Sequence, residues 1–114
     1  MRIRITPLAL LASTALSIAA MAPAHAALSD DAAMAILKKG SCTTCHKLDK
    51  NGVGPSIRDI AKKHKGQADA VDNLKKVVRN GSKGAYGPDS MPGFAADRIS
   101  DADLTEAIQW ILTK

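Results

Sequence analysis

The chain has 114 residues, with 16 Lys or Arg, 11 Asp or Glu and a formal net charge of +5. It has one tyrosine, one phenylalanine and one tryptophan, and its basic residues are scattered rather than clustered. Nucleic-acid-binding proteins present a basic face, often with several aromatic side chains among the charges. The composition therefore argues against nucleic acid as a partner.

Residues 1–26 have the pattern of a secretory signal peptide. Arg2 and Arg4 precede an apolar run over residues 8–22, and Ala24-His25-Ala26 is typical of a cleavage site. The run is shorter than the roughly 20 apolar residues of a spanning helix. We therefore expect cleavage after Ala26, export to the periplasm and no stable membrane insertion.

The remaining residues, 27–114, predict a single small domain of the all-α class. Apolar residues recur at helical spacing in four stretches, and no alternating strand pattern competes with them. The four stretches run from Ser29 to Gly40, from Pro55 to Gly66, over about 69–79, and from Ser100 towards the C-terminus. Ser29 and Ser100 are predicted N-caps. A domain of this size has a modest core, so we expect a cofactor to fill part of its centre.

Residues 80–94 separate the last two helices and contain four Gly and two Pro. This composition predicts a loop without regular structure, and a long loop in a small domain is usually functional. The loop contains one soft metal ligand, Met91.

Cys42-Thr43-Thr44-Cys45-His46 admits three interpretations. A thioredoxin-like redox pair belongs in a βαβ unit, whereas this sequence predicts no strands. A structural zinc site needs four ligands, and besides Cys42, Cys45 and His46 the expected mature chain, residues 27–114, offers only the distant His64. Cys-x-x-Cys-His is also the signature of covalent haem attachment, in which two thiols bond to the vinyl groups and the histidine ligates the iron. Spacing and order favour haem.

The second axial position of the iron decides the function. An open position is typical of a gas sensor or a peroxidase, and a filled one of an electron carrier. Met91 is the candidate ligand, because it precedes Pro92 in a loop that has no helix face to pack against. His64 is a rival ligand, and Met34 is interpreted as core packing within the first helix.

The ordered set of CTTCH, "GVGPS", "NGSKGAYGPDSMP" and a C-terminal helix with Trp110 resembles the small bacterial class I cytochromes c, in the short branch called class ID. The resemblance covers residues 28–114. It implies a cytochrome c fold of about four helices around one covalently bound haem c. It further implies Cys42 and Cys45 as the thioether anchors, and His46 and Met91 as the axial ligands.

Further roles come from the same resemblance. The carbonyl of Pro55 is expected to accept the ring N–H of the proximal histidine, and Tyr86 stands where relatives carry a tryptophan near a haem propionate. Arg79 and Lys83 are candidates to neutralise propionates. Phe94 replaces an asparagine that contacts the ligand methionine in relatives, which leaves the methionine without that hydrogen bond.

The resemblance implies a monomeric electron carrier rather than an enzyme. Its donor would be of the cytochrome bc1 type or another respiratory protein, and its acceptor a terminal oxidase or reductase. Two alternatives remain at this point: a haem protein whose distal site opens to a gas or peroxide, and a haem binder that serves structure or scavenging.

Overall fold

The computed structural model describes residues 27–114, and the predicted signal peptide, residues 1–26, lies outside them. The described chain forms four α-helices: α1 Asp30–Lys39, α2 Ile57–His64, α3 Ala70–Asn80 and α4 Asp101–Ile111. The predicted all-α class is confirmed. Within residues 27–114, no helix is long and apolar enough to cross a membrane.

Serine side chains cap three of these helices. Each hydroxyl accepts the backbone N–H three residues ahead, which satisfies a donor that has no partner inside the helix. The pairs are Ser29 with Ala32 at 3.2 Å, Ser56 with Asp59 at 3.1 Å, and Ser100 with Asp103 at 3.1 Å. Ser29 and Ser100 are the predicted caps, and Ser56 is a cap that was not predicted from the sequence.

The segment over residues 80–94 differs from its prediction, because it contains a short antiparallel ladder. β1, Ser82–Lys83, pairs with β2, Ser90–Met91, in the register Ser82 to Met91. Gly81 has a φ of 77°, a conformation that glycine adopts without strain, and it turns the chain out of α3 into β1. A ladder of two residues needs no alternating pattern, so the sequence carried no signal for it.

Helix α4 is the centre of the fold, because α1, α2 and α3 all contact it. Ala33 of α1 and Ala107 of α4 are both fully buried, and such small side chains allow the two helices to approach closely. Trp110 is 3% exposed and packs α4 against α1, as predicted. Ile108 and Leu104 form a second cluster against α3.

Helix α3 is less completely buried than its apolar sequence suggests. Ala70 is its one buried residue, whereas Val71, Leu74 and Val78 are only partly buried against the second cluster. Apolar side chains left half exposed on one helix face indicate a surface that another group covers. In this fold that face borders a cavity, which is described below.

Asp30 joins the two ends of the domain. Its Oδ1 accepts the indole N–H of Trp110 at 2.8 Å and a hydrogen bond from the Lys114 ammonium. The Lys114 ammonium also lies 4.5 Å from the centre of the Trp110 ring. The hydrogen bond from Lys114, followed by that from Trp110, lowers the pKa of Asp30 below its ordinary value of 3.8.

Asp30→Asn should therefore reduce thermal stability in a pH-dependent way. A carboxylate with a lowered pKa stabilises the fold above its unfolded pKa, and this stabilisation is lost as the pH falls through the folded pKa. We expect a lower Tm than wild type at pH 7, and a difference that shrinks below about pH 3.8. Calorimetry with Asp31→Asn as the control, in the same helical turn, measures this. If Asp30→Asn lowered Tm by the same amount at pH 7 and well below about pH 3.8, the hydrogen bonds to the Asp30 carboxylate would not be the source of the stability.

Candidate functional site

The segment that carries the two cysteines is a single turn of 3-10 helix over Cys42–Thr44. The carbonyl of Cys42 accepts the N–H groups of Cys45 at 3.2 Å and His46 at 2.9 Å. The Lys47 ammonium donates to the Thr43 carbonyl at 2.5 Å. These bonds hold the turn that brings both sulfurs and the imidazole to the wall of one cavity.

Cys42 and Cys45 form no disulfide with each other, and both are half buried. Burial raises the pKa of the Cys42 thiol, whereas reactive redox cysteines have lowered pKa values. Within residues 27–114, no group of three or more His, Cys, Asp or Glu side chains is placed to hold a metal ion on its own. Of the three interpretations of this motif, covalent haem attachment fits the geometry.

The imidazole of His46 is held by its Nδ1 atom, which lies 2.8 Å from the carbonyl oxygen of Pro55. A carbonyl can only accept, so Nδ1 carries the proton and Nε2 keeps its lone pair for a metal. This is the hydrogen bond that the resemblance implied. A Cβ at Gly54 would stand 2.7 Å from His46 Cε1, so only glycine allows the chain to pass this close to the ring.

The cavity has a volume of about 300 Å³, at the lower end of the range for small-molecule sites. Its walls come from the cysteine turn, from α2, α3 and α4, and from residues 82–94. The helices contribute mainly apolar side chains, among them Leu74, Val77, Leu104, Ile108 and Ile111. The half-exposed face of α3 is thus one wall of this cavity.

Met91 lines the same cavity as His46, and two glycines set its place. A Cβ at Gly81 would lie 2.5 Å from the Met91 carbonyl oxygen, and a Cβ at Gly93 would lie 2.6 Å from the Arg79 carbonyl oxygen. Neither distance is sterically allowed. The chain from Met91 to Gly93 therefore lies directly against the C-terminal end of α3.

Phe94 directly follows Gly93, and its backbone forms hydrogen bonds to α3. Its N–H donates to the Val78 carbonyl at 2.8 Å, and its carbonyl accepts from Arg79 at 3.0 Å. Its side chain packs against the Ile99, Leu104 and Ile108 cluster. Phe94 thus replaces the polar contact expected at this position with apolar packing.

Arg79 and His64 do not line the cavity, and both pair with protein groups. The guanidinium of Arg79 donates to Asp101 at 2.7 Å as well as to Phe94, so its role is to join α3, the loop and α4. The pKa of Asp101 is lowered by this bond. His64 Nδ1 pairs with Gln67 Oε1 at 2.9 Å near the end of α2, and His64 is not among the residues that line the cavity.

Tyr86 lies at the edge of the cavity and is 44% exposed. Burial of its hydroxyl, followed by the negative charge of Asp59, raises the pKa of Tyr86 above 10.0. The phenol is therefore protonated at neutral pH and can donate a hydrogen bond. Lys63 lies over its ring, with Nζ 4.0 Å from the ring centre. That contact was not predicted, because nothing in the spacing relates α2 to this loop.

Ser41 and Arg98 also take part in the site without having been predicted. Ser41 has a φ of 64°, a left-handed conformation that is uncommon for a residue other than glycine, and it immediately precedes Cys42. Arg98 donates to its hydroxyl at 3.0 Å. This bond ties the cysteine turn to the segment that leads into α4.

Comparisons with known proteins agree with this architecture. The family model described as "Cytochrome C oxidase, cbb3-type, subunit III" matches residues 29–111. The chain is 47% identical over 74 residues to cytochrome c2 of Rubrivivax gelatinosus, covering 65% of this chain and 87% of that protein. It is 36% identical over 102 residues to cytochrome c-552 of Nitrosomonas europaea, covering 90% of this chain and 89% of that protein.

The chain belongs to the small class I monohaem c-type cytochromes. The crystal structure of cytochrome c552 of Nitrosomonas europaea has a TM-score of 0.65 at 36% identity, covering 70% of this chain and 96% of that one. The class 1 cytochrome MtoD of Sideroxydans lithotrophicus ES-1 has a TM-score of 0.64 at 29% identity, covering 76% and 97%. The predicted cytochrome c fold is confirmed.

The cofactor of this c-type cytochrome is one covalently attached haem c, as predicted. The residues present fit that group. Two free thiols and an imidazole with an available Nε2 line an apolar cavity, and the thioether of Met91 lines it as well. A flat, largely apolar macrocycle would cover the half-exposed face of α3.

Gly54→Ala tests the contact that positions the histidine. The added methyl group would overlap the imidazole, and overpacking of this kind costs about 1–3 kcal/mol. We expect the variant to form less covalent holoprotein than wild type, because the ring must turn away from the Pro55 carbonyl. The yield can be measured by mass spectrometry and absorbance.

Gly52→Ala is the matched control, because a Cβ there meets nothing closer than the Cys45 carbonyl oxygen at 3.9 Å. If both variants gave the same yield, crowding of His46 would not be the constraint at Gly54.

Proposed function

We propose that this c-type cytochrome is a one-electron carrier of the periplasm, with Cys42 and Cys45 bonded to the haem and His46 and Met91 as its axial ligands. The observation that carries the proposal is that His46 and Met91 line the same cavity. His46 directly follows the cysteine turn, whereas Met91 lies in the segment over residues 80–94, far from it in the sequence. When bound, the haem iron supplies the couple between ferric and ferrous states. Two protein ligands leave no open position for a substrate, so the role is that of a carrier rather than an enzyme.

The residues around the cofactor have distinct parts in this proposal. The Pro55 carbonyl orients His46 and increases the electron donation of the ring to the metal. Methionine as the second ligand raises the reduction potential, and the apolar walls act in the same direction by disfavouring the more highly charged ferric state. Tyr86 donates its phenolic hydrogen to a propionate at the edge of the cavity.

Partners would meet the protein where the cavity opens. Val53 is 62% exposed and Tyr86 44% exposed, and both line the cavity, so apolar surface lies at its rim. Exposed apolar surface of this kind suits brief contacts with redox proteins. The proposed donor is of the cytochrome bc1 type or another respiratory protein, and the acceptor is a terminal oxidase or reductase. A monomer suits this mobile role.

Residues 1–26, with their signal-peptide pattern, support export of the chain. Covalent haem attachment through two thiols also suits a compartment outside the cytoplasm. The proposed location is therefore the periplasm, with residues 27–114 as the mature cytochrome domain.

Met91→Ala tests the proposed function. Ligation by methionine gives ferric haem a weak far-red absorption band and blocks carbon monoxide from the reduced iron. Wild type should show the band and not bind carbon monoxide, whereas the variant should lose the band and bind the gas rapidly. Met34→Ala is the control, because Met34 packs on the α1 side of the core. A wild-type protein without the band and with rapid gas binding would instead be a sensor or peroxidase.

Removal of the thioether anchors should weaken the fold. Without haem, the apolar side chains of the cavity wall are exposed to water. A small domain has only about 5–15 kcal/mol of stability in total, so the loss of this burial should be large in comparison. We expect Cys42→Ala/Cys45→Ala, purified without haem, to lose much of its helical circular dichroism and to regain it when haem is added. Near-native helicity without haem would contradict this.

A further inference from the structure

We infer that Lys63 is a positioning residue for the methionine ligand, acting by holding the tip of the Met91 loop, residues 84–89, against α2. The Lys63 ammonium donates to the Ala85 carbonyl at 2.9 Å and lies 4.0 Å from the centre of the Tyr86 ring. One side chain thus makes both a hydrogen bond and a cation–π contact with two consecutive residues of the tip. The inference rests on the proposed function, in which Met91 binds the iron.

Within residues 27–114, no hydrogen bond other than that from Lys63 joins the tip to the rest of the domain. Its two ends are paired in the β1–β2 ladder, at Ser82 with Met91 and Lys83 with Ser90. Between them, Gly84 and Gly87 both adopt positive φ, at 76° and 132°, and glycine leaves the chain many alternative conformations. A tether on Ala85 and Tyr86 therefore selects one path of the loop among many.

Helix α2 is suited to carry such a tether. At its N-terminal end, Ile57 N–H donates to the Lys47 carbonyl at 2.8 Å, directly after the residue that would ligate the iron. Near its C-terminal end, the side-chain amide of Gln67 donates to the Lys63 carbonyl at 3.2 Å. Eight helical residues span about 12 Å. The same rigid element thus adjoins Pro55, which orients His46, and holds the loop that carries Met91.

This arrangement couples the loop to ligand exchange. For an external ligand to replace Met91, the loop must move away from the cavity, and the tether on its tip must break first. Loss of the hydrogen bond and of the cation–π contact should increase the open population of the loop about tenfold. Lys63 thus keeps the distal site closed without touching the cofactor.

The experiment compares Lys63→Met with Lys62→Met in the holoprotein. Lys62 is the exposed neighbour on the same helix, so both variants lose one positive charge and only Lys63→Met loses the tether. Hydrogen exchange of the amides of the β1–β2 ladder, at residues 82–83 and 90–91, should be about tenfold faster in Lys63→Met than in wild type, because the ladder opens when the loop moves away. The rate of imidazole binding to the ferric protein should rise by about the same factor, because loop opening precedes it.

Two further variants identify the contact. Lys63→Arg should restore slow exchange, because a guanidinium can both donate to the Ala85 carbonyl and stack on Tyr86. Tyr86→Leu removes the ring, and its effect should be smaller in the Lys63→Met background than in wild type, as expected for two partners in one interaction.

Equal exchange of the ladder amides in Lys63→Met, Lys62→Met and wild type would overturn the inference. So would faster exchange without faster imidazole binding, provided that wild type shows the far-red band of methionine ligation. A wild-type protein that lacks this band would overturn the role of Met91, whereas the exchange data would still report whether Lys63 holds the loop.

Discussion

The hydrogen bond between His46 Nδ1 and the Pro55 carbonyl is the constraint on which the site depends. It fixes the tautomer of the imidazole and leaves Nε2 as the free nitrogen. Gly54 makes the contact sterically possible, because any larger residue would overlap the ring. Pro55 also leads into α2, whose first N–H groups bond to carbonyls that follow His46. Orientation of the His46 imidazole and the start of a helix are therefore one local structure.

The cavity explains why so small a domain is organised around α4 rather than around a continuous core. Helix α1 packs closely on α4 through Ala33 and Ala107, whereas α3 leaves apolar side chains half exposed towards the cavity. The haem of a c-type cytochrome supplies the apolar surface that these side chains lack. The cofactor is thus part of the packing as well as the source of the redox chemistry, and folding and haem attachment are energetically linked.

The methionine side of the site is built differently from the histidine side. His46 lies next to a rigid turn in the sequence, but Met91 lies in a glycine-rich loop whose position depends on distant contacts. Gly81 and Gly93 set the loop against the end of α3. Arg79, in α3, bonds to Phe94 at the end of the loop and to Asp101 in α4. Several weak contacts thus hold Met91 at the cavity wall, and in the proposed function they control how firmly the distal site stays closed.

The helices, the haem motif and the family could be predicted from the sequence, because these depend on local spacing: caps at Ser29 and Ser100, apolar residues at helical period, and two thiols beside a histidine. Which distant groups meet could be seen only in the folded chain. Arg79 bonds to Asp101 and Phe94, and Lys63 bonds to the Met91 loop. The residues of these pairs lie 15 or 22 positions apart, and their meeting depends on the path of a loop and the conformations of long side chains. No periodicity in the sequence records either of these.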